Sequence, residues 1–313
     1  MGTTAARLPH ASATSRPFDA RRLLGADWRL GYAFVLPIVL LVLGLVAYPF
    51  CYAVYLSLTR KYVGVPPVFI GLDNYVKLAS DGFFRRAVVN SFVFTFGSVA
   101  VKLVLGMAMA LVLTSKIRFR GFFTGVLLIP WVAPTVVSAL NFLWIYDYSL
   151  GVLNYLLVRV FRILPTGVGW LSEPNTAMAS VITVNIWRGF PFFGISLLAG
   201  MKAIPAELYE AAAVDGASPL GRFRFVTLPS LRHILIIVVL LSTIWTFNDF
   251  QIVYILTKGG PGGATQVLPV FTYEVAFGAQ RLGEAIAVAL YMLPVLALVI
   301  VVLSRYMRRG QAR

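Results

Sequence analysis

The chain has 313 residues, 59% of them hydrophobic and 12% charged, with a formal net charge of +15. Soluble domains carry about 25% charged residues, so half that share excludes an ordinary water-soluble domain and points to lipid as the solvent. The excess of positive charge does not argue for nucleic acid, because the basic residues are scattered through the short segments between apolar runs, as in loops at a membrane surface. Cys51 is the single cysteine, which excludes an intrachain disulfide and a cysteine-based metal site, and His10 and His233 lie too far apart in sequence to suggest a ligand pair.

Residues 1–29 are polar, with Arg7, Arg16, Arg21, Arg22 and Arg29 and no apolar stretch of signal-peptide type. They read as a cytoplasmic tail ahead of an uncleaved first span. A span needs roughly 20 apolar residues to cross a hydrocarbon core about 30 Å thick. Six such runs follow, at 31–57, 88–114, 122–145, 177–200, 233–256 and 284–305. They are too long, and too apolar on all sides, to be barrel strands, so the expectation is an all-α integral membrane protein. Lys and Arg fix the orientation. One face collects the five tail arginines, then Lys116, Arg118 and Arg120, Lys202, Arg222, Arg224 and Arg232, and Arg305, Arg308, Arg309 and Arg313. The other face holds only Arg60, Lys61, Lys77, Arg85, Arg86, Arg159, Arg162, Lys258 and Arg281, which places both termini in the cytoplasm.

The third span contains Pro130 and Pro134 within IPWVAPT, and the fourth contains Gly189 and Pro191 within NIWRGFPFF. Proline removes a helical hydrogen bond and kinks the axis, and in lipid the freed carbonyls are tolerated only against protein or a water-filled cavity. Two kinked, polar-dotted spans therefore point to a cavity, although kinks that merely shape a bundle would look the same. Ionisable residues inside spans are costly and mark function by default. Lys102 in span 2, Arg188 in span 4 and Asp249 in span 5 qualify. Lys102 reads mainly as structural, and Arg188 with Asp249 as either a polar lining or a buried ion pair.

The connection between spans 4 and 5, KAIPAELYEAAAVDGASPLGRFRFVTLPSL, has its own logic. Pro205 suits a first helical turn, residues 206–214 are strong helix formers, and Gly216 is a natural stop. Ser218 and Pro219 restart a second short helix as N-cap and first-turn pair. The result is a helix–turn–helix beneath the membrane, with Ala211, Ala212 and Ala213 forming a low-relief surface flanked by Glu210 and Asp215. An interfacial helix that touches only lipid headgroups would also account for these features.

This same loop resembles a known family. Glu210-Ala211-Ala212, then Gly216, then Val226-Thr227-Leu228-Pro229 match the EAA---G---------I-LP signature of bacterial ABC import permeases, with Val226 for the usual Ile. The resemblance extends over roughly residues 30–309. GLDNYVKL, the Asn90-Ser91 pair, IPWVAPT, NIWRGFPFF and FNDFQIVYILTKGGP all look like sugar permeases related to the larger membrane subunit of maltose- and trehalose-type transporters. It implies a type I importer permease core of six spans at 30–309, flanked by the tail 1–29 and a cytoplasmic end at 310–313. It also implies that loop 202–231 is a coupling helix docking into an ATPase, with Glu210, Ala211, Ala212, Asp215, Gly216, Leu228 and Pro229 at the contact.

The same resemblance implies a substrate site of Trp131 and Thr135 from span 3, Asn185, Arg188, Gly189 and Phe192 from span 4, and Ser242, Thr246 and Asp249 from span 5. Trp131 and Phe192 would stack on a sugar ring while the polar groups bond its hydroxyls. At Arg188, Thr246 and Asp249 the chain departs from the enteric maltose protein, where an aliphatic residue and amides stand, so the sugar stays open. The implied partners are a second homologous permease, a dimer of ATPase subunits, an extracytoplasmic binding protein or lipoprotein, and membrane lipid, with no nucleic acid. The chain contains no GxxxxGK[ST] phosphate loop, so ATP and Mg belong to the partner subunits and no cofactor is expected here. Three other readings are weighed beside this one: a permease of the same kind for an oligosaccharide or glycerol-3-phosphate, an ion-coupled secondary transporter with broken helices, and an intramembrane enzyme. The last lacks paired carboxylates or a His–carboxylate cluster within the spans.

Overall fold

The computed structural model describes residues 28–115 and 117–309. The expected tail up to residue 27, Lys116 and the C-terminal end 310–313 lie outside the described residues. The chain divides between Ala53 and Val54 into two compact units. In the first, α1 (Trp28–Val42) runs through a π-helical turn (Leu43–Ala47) into α2 (Tyr48–Ser57), and Tyr48 stacks on Tyr52 one turn later at 6.4 Å. The run Gly31–Ser57 is long and apolar enough to cross a membrane.

The second unit begins with the end of α2 and a short antiparallel pair, β1 (Thr59–Arg60) with β2 (Val68–Phe69). The Nδ2 amide of Asn74, in α3 (Asp73–Ser80), donates to the carbonyls of Ser57 at 2.7 Å and Thr59 at 2.9 Å and so fixes the start of this hairpin. α4 (Gly82–Thr114) starts earlier than its apolar run suggests, because Asp81 caps it: Oδ1 accepts the amides of Phe83 at 2.6 Å and Phe84 at 3.1 Å.

The third expected span is two helices. α5 (Arg120–Val132) and α6 (Thr135–Ile145) are bent by 92° about Ala133 and Pro134. Pro134 cannot donate its amide back to Pro130, and the residue before a proline is pushed out of the helical region. Ala133 obeys, with ψ 136°. The fourth expected span, α8 (Pro174–Lys202), follows a three-residue helix α7 (Val152–Asn154) and is continuous through Pro191. Asn154 secures that connection, with Nδ2 donating to the Tyr148 and Val168 carbonyls and Oδ1 accepting from Trp170 Nε1 at 2.9 Å.

Beyond α8 come α9 (Ala206–Val214) and α10 (Pro219–Arg222). α10 passes through a π-helical turn (Phe223–Thr227) directly into α11 (Leu228–Phe247), so Pro219–Phe247 is one 29-residue rod rather than a short helix beside a separate span. That rod ends before the expected span does: the chain breaks at 248–250 and α12 (Gln251–Thr257) follows. α13 (Leu268–Tyr273) and α14 (Leu282–Arg309) complete the unit. Among the described residues five helices are long and apolar enough to cross a membrane, and the bent pair makes a sixth if it counts as one span.

Without a hydrophobic effect between helices in lipid, close approach and interhelical hydrogen bonds must hold the bundle. α4 packs along α8 through glycines: a Cβ on Gly106 would collide with Phe193 Cβ and sit 2.9 Å from the Gly194 amide nitrogen. Buried Met109, Leu113, Leu197, Met201 and Leu231 fill one end of the α4–α8–α11 contact, and at the other end of α4 and α8 Phe94, Val181 and Val184 pack against Ile252 and Val253 of α12. Asn90 and Ser91, singled out in the sequence, tie α4 to the glycine-rich turn after α12. Asn90 Nδ2 donates to the carbonyls of Gly263 and Gln266, both at 3.0 Å, and Ser91 Oγ accepts the Leu268 amide at 2.8 Å.

Candidate functional site

Between the two packed ends, α4, α5, α8 and the end of α11 line a partly open cavity of about 70 Å³. α4 contributes Lys102 and α5 contributes Trp131. Asn185, Arg188, Gly189 and Phe192 line it from α8, and Ser242, Trp245, Thr246 and Asp249 from α11 and the break that follows. Both sets repeat at i, i+3, i+4 and i+7, the spacing of a single helix face. A water needs on the order of 10–15 Å³ of such space, so the cavity holds a few waters and must widen to admit anything larger.

The break after Phe247 places the Asp249 carboxylate at the start of α12. Its Oδ1 accepts the Ile252 amide at 3.2 Å and its Oδ2 accepts Asn185 Nδ2 at 2.9 Å, which links that break to α8. Lys102 donates from Nζ to Thr246 Oγ1 at 3.0 Å, linking α4 to α11. The ammonium reaches Thr246 past Gly189, where a Cβ would stand 2.5 Å from Lys102 Cε.

Arg188 and Asp249 line the same cavity; among the described residues no direct salt bridge joins them, and the carboxylate's side-chain hydrogen bond comes from Asn185, with the Arg188 charge acting on it from further off. Two buried polar atoms on α8, Arg188 Nε and Asn185 Oδ1, have no hydrogen-bond partner among the described residues. Groups of this kind are costly to leave unmade, which makes them natural contacts for a polar guest. The aromatic wall is continuous. Trp131 stacks on Phe192 at 6.1 Å and 25°, and Phe192 meets Trp245 at 5.1 Å.

Of the nine residues that the sequence nominated for a substrate site, eight line this cavity, and Thr135 does not. On a straight helix Thr135 would follow Trp131 by one turn on the same face; the 92° bend carries it to the start of α6, half-buried. Lys102 and Trp245 are additions. Trp245 was detectable from its spacing to Ser242, Thr246 and Asp249. The placement of Lys102 depends on which helix faces Gly189, and the sequence does not state that.

The loop between α8 and α11 is the second candidate. α9 runs over Ala206–Val214 with Pro205 just outside it rather than in its first turn. Gly216 closes it in the left-handed region at φ +76°, and Ser218 Oγ accepts the Gly221 amide at 3.2 Å as the N-cap of α10. Tyr209 Oη and Thr227 Oγ1 share a hydrogen bond of 3.0 Å that pins α9 to the root of α11. Glu210, Ala211, Asp215, Gly216 and Pro229 are exposed, and Ala212 and Leu228 are half-buried. Val214, Leu220 and Phe225 present further exposed apolar surface beside them.

With this geometry in view, residues 102–310 match the family described as the binding-protein-dependent transport system inner membrane component. The chain is 37% identical over 287 residues to a trehalose/maltose transport system permease protein of Thermococcus litoralis, spanning 91% of this chain and 95% of that one. It is 34% identical to a sulfoquinovosyl glycerol transport system permease protein of Agrobacterium fabrum, over 85% and 87% of the two chains. Its fold matches a chain in the crystal structure of a bacterial alginate ABC transporter in complex with an alginate pentasaccharide-bound periplasmic protein. That match has a TM-score of 0.77 at 22% identity and covers 93% of this chain and 97% of the other.

Proposed function

Because the chain belongs to the family of binding-protein-dependent transport system inner membrane components, we propose that it is the subunit of an ATP-driven importer that carries a sugar, a disaccharide of the trehalose or maltose kind, across the cytoplasmic membrane. It is a permease and not an enzyme. Its partners in this reading are a second, homologous permease, two ATPase subunits that bind ATP and Mg, and an extracytoplasmic binding protein or lipoprotein that delivers the sugar. Both termini face the cytoplasm, where Glu210, Ala211, Ala212, Asp215, Gly216, Leu228 and Pro229 meet the ATPase.

The observation that carries the sugar reading is the pairing, in one cavity, of a three-ring aromatic wall with unspent hydrogen-bonding groups. A sugar presents apolar C–H faces to rings and hydroxyls that both donate and accept. Trp131, Phe192 and Trp245 suit the faces. Asn185, Arg188, Ser242, Thr246 and Asp249 suit the hydroxyls, while the room at Gly189 is taken by the Lys102 side chain on its way to Thr246. In this reading the cavity, about 70 Å³ here, widens to admit a disaccharide when the ATPases close and narrows again when they reopen.

The test is uptake and ATP hydrolysis by the full transporter in proteoliposomes with its binding protein. Trehalose or maltose should stimulate hydrolysis and accumulate inside. Asp249→Ala removes the acceptor that holds Asn185, and a hydrogen bond to a charged group is worth about 1.5–3 kcal/mol, so the KM for uptake should rise about tenfold or more. Uptake with an unchanged KM in that variant removes Asp249 from the pathway, and a transporter indifferent to every disaccharide removes the sugar assignment.

A further inference from the structure

We propose that Lys102 determines the charge class of sugar the permease accepts, admitting neutral and anionic sugars and rejecting those that carry a protonated amine. This rests on the cavity being the sugar pathway. Lys102 is 4% exposed and lies in the middle of α4, a position where a cation is retained only for a reason. It sits in a slot. The built Cβ of Gly189 would lie 2.5 Å from its Cε and 2.9 Å from its Cδ and Nζ, so only glycine at 189 lets the side chain reach across to Thr246. The hydrogen bond to Thr246 uses one of the three ammonium donors. A sugar oxygen entering the cavity can take either of the others, or displace Thr246.

Three ionisable groups line the cavity: Lys102, Arg188 and Asp249. The carboxylate is already engaged by Asn185 and the Ile252 amide, whereas Arg188 Nε has no partner among the described residues. An ammonium on the guest would therefore meet two basic side chains against a single carboxylate that both of them already face. Beside a buried group such as Lys102, like charges a few ångströms apart repel more strongly than in bulk water. A hydroxyl or carboxylate in the same place meets donors.

The experiment uses the assembled transporter in proteoliposomes and measures uptake of trehalose or maltose, whichever it carries. The competitor is the same disaccharide with a protonated amine in place of one hydroxyl. In the wild type the amine analogue should compete at least about tenfold more weakly than the unlabelled parent. Lys102→Met should close most of that gap, and Lys102→Arg should keep it. Gly189→Ala, which displaces the flexible lysine rather than backbone, should behave as Lys102→Met does, and the double variant should be no worse than Lys102→Met alone. That non-additivity is not expected if both residues merely pack. An amine discrimination unchanged in Lys102→Met overturns the proposal. An Asn185→Ala variant separates the levels. If it leaves the parent sugar's KM untouched, the cavity reading falls and takes this proposal with it; if it raises KM while Lys102→Met leaves discrimination intact, this proposal alone is wrong.

Discussion

At Gly106 and Gly189 the same missing methyl group has opposite consequences. A Cβ at Gly189 meets the end of a lysine, which can swing away; a Cβ at Gly106 meets Phe193 Cβ and the backbone of Gly194, which cannot move without parting α4 from α8. Gly106→Leu should accordingly abolish stable incorporation, and Gly106→Ala should lower the thermal stability of the purified complex, with overpacking of this kind costing about 1–3 kcal/mol or more. Gly189→Ala should leave that stability nearly unchanged. Thermal denaturation of the three variants checks the contrast, and equal losses at both positions would contradict it. Sequence alone could not rank these glycines, because the rank depends on what stands opposite each.

Among the elements, the loop of α9 and α10 was the most legible. Its helix formers, its glycine stop and its Ser-Pro restart are local signals, and each appears where local chemistry puts it. Less legible were features settled by tertiary context. The chain turns sharply at Ala133 and Pro134 yet runs straight on through Pro191, although both prolines carry the same local penalty. Close packing of α8 along the length of α4 supports its shape across the lost hydrogen bond, whereas α5 meets α8 over a much shorter contact. At Gly216 a built Cβ finds open space, but the backbone sits at φ +76°. Gly216→Ala should thus cost only the roughly 1–2 kcal/mol of left-handed strain and retain transport, whereas Gly216→Trp and Glu210→Lys should abolish sugar-stimulated uptake while membrane insertion stays normal. Wild-type uptake in both of the latter would refute an ATPase contact at this loop.

For the whole molecule, the apolar runs and the distribution of Lys and Arg convey the number of spans and an orientation, and the orientation can be tested directly. Cys51 is the sole cysteine, so Cys51→Ser provides a cysteine-free background. A cysteine placed at Asp215 should react with an impermeant maleimide only from the cytoplasmic side, and one at Gly262 only from outside; the reverse pattern would invert the protein. What composition could not reveal is that Pro219–Phe247 is a single stiff rod, clamped at its base by Tyr209 and bearing Ser242, Trp245 and Thr246 near its tip. At 1.5 Å per residue, Thr227 and Thr246 are separated by about 28 Å along the axis. Such a rod is a lever: a tilt of about 10° at the clamp swings its far end by roughly 5 Å, about the girth of a hexose ring.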